Sequence, residues 1–192
     1  METRKDFLQS GSFYHIYNQG VNGEHVFVTN ENYRFFMAKV QLYIVPFCEI
    51  YAHCLLPHAF YFVVKIRSQE EFPKGNHAHT FQENGLHSAT AAINKQFGKL
   101  ISSYTQAFNK FNKARTGNLF ESPFKRITLH SEEQIRDAIC AVHRKPSESG
   151  FDWERYSYST YRGLAANEWT ENPGIAAIFG TRENFINHHQ FI

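Results

Sequence analysis

At 192 residues, 42% of them hydrophobic and 20% charged, the chain has the size and composition of one globular domain with a real core. No apolar run reaches the ~20 residues of a membrane span, and Met1 to Gly11 is polar rather than a secretory leader, which predicts a soluble cytoplasmic protein. The net charge of +2 makes the placement of charge matter more than its sum, and Cys48, Cys54 and Cys140 have neither zinc spacing nor an even count for disulfides.

In chain order, Phe13 to Asn18 has the composition of a strand and ends at the turn signal Asn18-Gln19-Gly20. After Val26-Phe27-Val28, Thr29 or Asn30 can cap a helix whose inner face is Tyr33, Phe36, Met37, Val40 and Ile44, with Pro46 as its stop. Tyr51 to Ile66 reads as two strands reversed at Pro57-His58. The second of them, Phe60 to Val64, is aromatic and β-branched enough for the middle of a sheet. Ser68 to Leu86 is a polar loop. A long helix is predicted over Ser88 to Ala114, with Ile93, Phe97, Leu100, Ile101, Tyr104, Phe108 and Phe111 as its apolar stripe. Leu119 to Leu129 reads as a fourth strand. Ser131-Glu132-Glu133-Gln134 is a capping box for a third helix, with Ile135, Ala138, Ile139 and Val142 inward and Pro146 and Gly150 as its end. A short apolar element falls at Ile175 to Phe179. The order predicts an α+β fold, a mainly antiparallel ferredoxin-like or RRM-like sheet with helices packed on it. Residues 1–166 form the domain, with 167–192 as an extension packed on it.

Several segments together resemble the HUH transposases that use one catalytic tyrosine, the REP-associated tyrosine transposase type above all. These are Tyr14-His15-Ile16-Tyr17-Asn18-Gln19-Gly20, Asn32-Tyr33-Arg34-Phe35-Phe36, Ala52-His53-Cys54-Leu55-Leu56-Pro57 and Thr116-Gly117-Asn118-Leu119-Phe120, followed by Tyr156 to Tyr161 and Phe179 to Phe185. The resemblance implies two histidines at i and i+2 after the Pro of the central strand. They would hold a divalent metal such as magnesium or manganese, and a helix tyrosine would attack the phosphate. Aligned on Pro57, the histidine positions are Ala59 and Tyr61. Aligned on Pro146, the tyrosine position is Ala141 and a nearby amide position is Lys145. Alanine offers no lone pair, a neutral phenol is a poor ligand and an ammonium is none. The expectation is therefore a transposase scaffold with no catalytic residues, no metal ligands and no cofactor.

Other residues invite catalytic readings that simpler ones displace. His77-Ala78-His79, with His87 beyond, spells two histidines around one residue, but in a polar loop that does not pre-organise ligands. His53 and His58 flank a turn, which suits packing or a turn hydrogen bond. His188-His189 is assigned to a solvated tail, Tyr61 and Tyr104 to the core, and Glu132-Glu133 to the favourable end of a helix dipole.

The basic stretch is harder to set aside. Lys95, Lys99, Lys110, Lys113, Arg115, Lys125 and Arg126 have few acids near them, and none occurs from Asn84 through Phe120. A merely solvated face mixes signs, whereas phosphate contact calls for one sign. With Asn18 from the first motif, these are the expected nucleic-acid-binding residues. The aromatic fraction of 16% could add base stacking, although core packing accounts for most of it. The expected partner is single-stranded or hairpin DNA, with no membrane and a homodimer left open. Two alternatives stand beside this reading: a nickase using unconventional ligands such as His53, His58, His77 or His79, and a protein-interaction module that kept only the fold.

Overall fold

In the computed structural model, which describes residues 7–73, 89–113, 115–166, 169 and 172–190, the alternation of the first strand is explicit. Strand β1 (Phe13–Gln19) buries Tyr14, Ile16 and Asn18 on one side and half-buries Phe13, His15 and Tyr17 on the other. Its neighbours are β3 (Ala59–Ile66) and β4 (Lys125–Leu129), and β2 (Cys48–Leu56) lies outside β3. All pairings are antiparallel in the order β2-β3-β1-β4, the split βαβ arrangement the element order predicted.

Helices α1 (Asn30–Tyr43) and α2 (Ala89–Phe111) cover one face of the sheet. The N–H of Thr29 donates to Asn32 Oδ1 at 3.0 Å, which starts α1 where the sequence placed its cap. Phe36 is central to this layer, with ring centroids 5.1 Å from Phe27, 5.2 Å from Phe60 and 5.1 Å from Tyr104. Such pairs add about 0.5–1.5 kcal/mol each beyond area burial. The α2 stripe holds from Ile93 to Phe108, but Phe111, at the helix's last residue, is 86% exposed.

The other face is covered by α3 (Glu132–Glu148) and then α4 (Tyr161–Ala165), α5 (Pro173–Phe179) and α6 (Arg182–Gln190). Ser131 Oγ accepts from the N–H of Gln134 at 3.1 Å, while Gln134 Oε1 accepts from His130 N–H at 2.7 Å, one residue earlier than an ideal capping box. Helix α3 ends between the two residues expected to stop it: Gly150, at φ 77°, lies just beyond Glu148, and Pro146 sits inside the last turn. A proline there forfeits one intrahelical bond only, and its carbonyl still accepts from Ser149 and Phe151 N–H.

Two further expectations shift. The fourth strand begins at Lys125 rather than Leu119, because 117–124 turns back along α2, with a single bridge from Phe120 to Gly20. The Tyr/Ser-rich segment covers the edge of β2: Leu55 N–H donates to Tyr158 O at 2.9 Å and Thr160 N–H to His53 O at 3.1 Å. A covered edge cannot pair with another chain. Among the described residues no helix is long and apolar enough to cross a membrane, and Cys48, Cys54 and Cys140 are buried, free thiols.

Candidate nucleic-acid interface

Because α3 packs on β2 and β3, the β1 half of that sheet face stays partly open. Register aligns side chains across it: Tyr17 sits opposite Tyr61 on β3 and opposite Lys125 on β4. The Tyr17 and Tyr61 rings are stacked, with centroids 6.0 Å apart and planes tilted by 15°. His15 lies 5.0 Å from Tyr17 and 6.3 Å from Tyr61. Lys145 Nζ stands 5.3 Å from the Tyr61 centroid and Lys125 Nζ 5.9 Å from that of Tyr17.

Tyr61 and Lys145, two of the four positions that the resemblance singled out, therefore meet. Ala59 is two residues along the same strand face and fully buried, and Ala141 is exposed one turn before Lys145 on α3. These residues do not fit a divalent metal. Ala59 offers a methyl group, Lys145 a positive charge bonded to Glu148 at 2.7 Å and 3.0 Å, and Tyr61 a phenol. Burial, and then the Glu148 carboxylate, push that phenol up to about 12, away from the phenolate that a ligand or nucleophile needs. His15 supplies one imidazole, brought down to about 4 by burial and by Lys145, and its buried Nε2 has no hydrogen-bond partner among the described residues. Among the described residues no group of three or more His, Cys, Asp or Glu is disposed to hold a metal ion.

The basic stretch divides in two. Lys95, Lys99 and Lys110 fall within an arc of about 60° on α2, roughly opposite its buried stripe. All three are exposed, as is Lys113 just past the helix end. None of the four is in an ion pair with another described residue. Beside this ridge runs a groove of about 590 Å³ between α2 and 117–124, lined in part by Ser102, Gln106 and Asn118. The other predicted residues have protein partners. Arg115 donates to Glu24, Asn109 and Asn118. Lys125 pairs with Glu121 at 3.3 Å, and Arg126 donates to Asn94 on α2 at 2.6 Å. Asn18 is 1% exposed; its Nδ2 donates to Glu121 O and its Oδ1 accepts from Gln19 N–H.

The histidines sort differently from expectation. His77, His79 and His87 lie outside the described residues. His53 is brought down to about 4 by burial, and the backbone carbonyl of His58 accepts from Gly20 N–H at 2.8 Å. His188-His189 is no solvated tail: both residues lie on α6, and His189 is fully buried. His189 Nδ1 donates to Phe185 O at 2.7 Å, so its Nε2 accepts from His143 Nδ1 at 2.8 Å. His143 Nε2 in turn accepts from Thr160 Oγ1 at 2.8 Å, and that hydroxyl accepts from His53 N–H at 3.0 Å. No spacing rule joins residues 143, 160 and 189, so the sequence gives no sign of this chain of hydrogen bonds.

No family model and no curated protein matches the sequence. Among solved structures, the fold is similar to that of a REP-associated tyrosine transposase bound to a REP hairpin. The TM-score is 0.60 at 13% identity, over 87% of each chain. At that identity the likeness is one of architecture: this chain is an α+β protein with the fold of a tyrosine transposase.

Proposed function

We propose that the protein binds DNA, single-stranded or hairpin, on a transposase scaffold that no longer cuts it. The observation that carries this reading is the lysine ridge of α2, three exposed ammoniums aligned opposite the core with Lys113 beyond them. Like charges are held together at a cost unless a polyanion answers them, and each phosphate they neutralise releases counterions. A solved transposase of similar fold is itself bound to a REP hairpin, which supports the same class of partner. Loss of cutting follows from Ala59, Tyr61, Ala141 and Lys145, which supply neither metal ligands nor an activated nucleophile. Any pairing of two copies through the sheet would use β4, because Tyr158 to Thr160 already cover β2.

A mobility-shift titration of hairpin, single-stranded and duplex DNA at rising salt tests the proposal. Salt-sensitive binding to the hairpin or single strand is expected. Absence of binding to all three leaves the interaction-module reading in its place.

A further inference from the structure

We infer that the open half of the α3-side sheet face, between Lys125 and Lys145, is a cradle for an unpaired nucleotide of single-stranded DNA. The inference rests on the DNA-binding reading but concerns a different surface from the α2 ridge.

Three observations specify the occupant. Tyr17, Tyr61 and His15 form a row of neighbouring, half-buried rings, with interplanar angles of 15° between the tyrosines and 30° and 31° to the imidazole. An aromatic cluster of this kind suits a base lifted out of a stack, and is tolerant of which base it is. Two ammoniums, Lys125 and Lys145, lie near the rings at opposite ends of the row. Phosphates on either side of a stacked base need cations so placed. Among the described residues His15 Nε2 is buried without a partner, an arrangement that a hydrogen bond with a ligand would relieve.

Each ammonium now holds a carboxylate, Glu148 on Lys145 and Glu121 on Lys125. Glu148 is 63% exposed, and an exposed pair of this kind is weak enough for a phosphate to displace. Glu148 therefore competes with the ligand. Lys145 holds an ammonium above the phenol ring of Tyr61, which attracts phosphate but cannot activate a nucleophile.

The test is a titration with an oligonucleotide carrying 2-aminopurine, as single strand and as duplex. Wild-type protein quenches the single strand on stacking. Tyr17→Leu and Lys145→Gln each weaken single-strand binding by about fivefold or more and remove the quenching. Glu148→Gln tightens it by about twofold, a gain that misfolding cannot produce. Tyr17→Phe keeps the ring and the quenching. Unchanged quenching and affinity in Tyr17→Leu and Lys145→Gln, with binding abolished by Lys99→Glu/Lys110→Glu, would overturn the cradle and leave the α2 ridge as the DNA site. No binding by the wild-type protein to any DNA overturns both.

Discussion

His143 Nδ1 lies 2.8 Å from His189 Nε2, and neither imidazole has any exposure to solvent. The pair ties α6 to α3, and through Thr160 to the backbone of β2. Each ring must be neutral to give and accept one hydrogen bond in this chain. Burial lowers His189 to about 4, and burial followed by its histidine neighbours takes His143 well below the usual value.

That arrangement makes the fold acid-sensitive. A histidine with a lower value folded than unfolded binds its proton more readily in the unfolded chain, so protonation favours unfolding. His15 and His53, each brought to about 4 chiefly by burial, act in the same direction. Stability is complete above about pH 6.5 and is lost progressively as pH falls toward about 4. Urea unfolding at steps between pH 7.5 and 4.5 checks this, with a shallower loss expected in His143→Leu. At pH 7.5 that variant is itself less stable by about 1–3 kcal/mol, because Thr160 and His189 lose a buried partner.

Incubated with manganese or magnesium and hairpin DNA, the protein forms no covalent adduct that survives denaturing electrophoresis. Attack by a phenol needs its proton removed, and Tyr61 is held in the opposite direction by burial and by Glu148. An adduct that Tyr61→Phe abolishes would reinstate the nickase reading.

Salt dependence separates the two kinds of cation. Lys99→Gln and Lys110→Gln each lower the slope of log affinity against log salt by about 1 for hairpin DNA. Arg115→Gln leaves the slope unchanged but lowers the melting temperature, because its guanidinium is spent on Glu24, Asn109 and Asn118. A slope change in Arg115→Gln equal to that of the lysines would return Arg115 to the interface.

Gly20→Ala destabilises the fold by about 2 kcal/mol or more, read by denaturant unfolding. A Cβ at this position would stand 2.1 Å from Glu24 O and 2.9 Å from Val26 Cγ1. Gly20 N–H also donates to His58 O, so the same residue fastens the end of β1 to the β2–β3 turn. A variant as stable as wild type would mean that the 20–26 turn relaxes freely.

The sequence by itself determined the element order, the antiparallel α+β class and the core stripes. These depend on periodicity and on turn residues, which are local. It also placed Ala59 and Tyr61 two and four residues after Pro57, on one face of the predicted strand. Only the tertiary structure decided what surrounds them. Lys125 and Arg126 are neighbours in sequence, yet strand alternation sends one to Tyr17 and the other to Asn94 on α2. Lys145 reaches Tyr61, and His143 reaches His189, only because α3 lies across β3 and α6 folds back on α3. Contacts between residues far apart in the chain leave no period for a sequence to display.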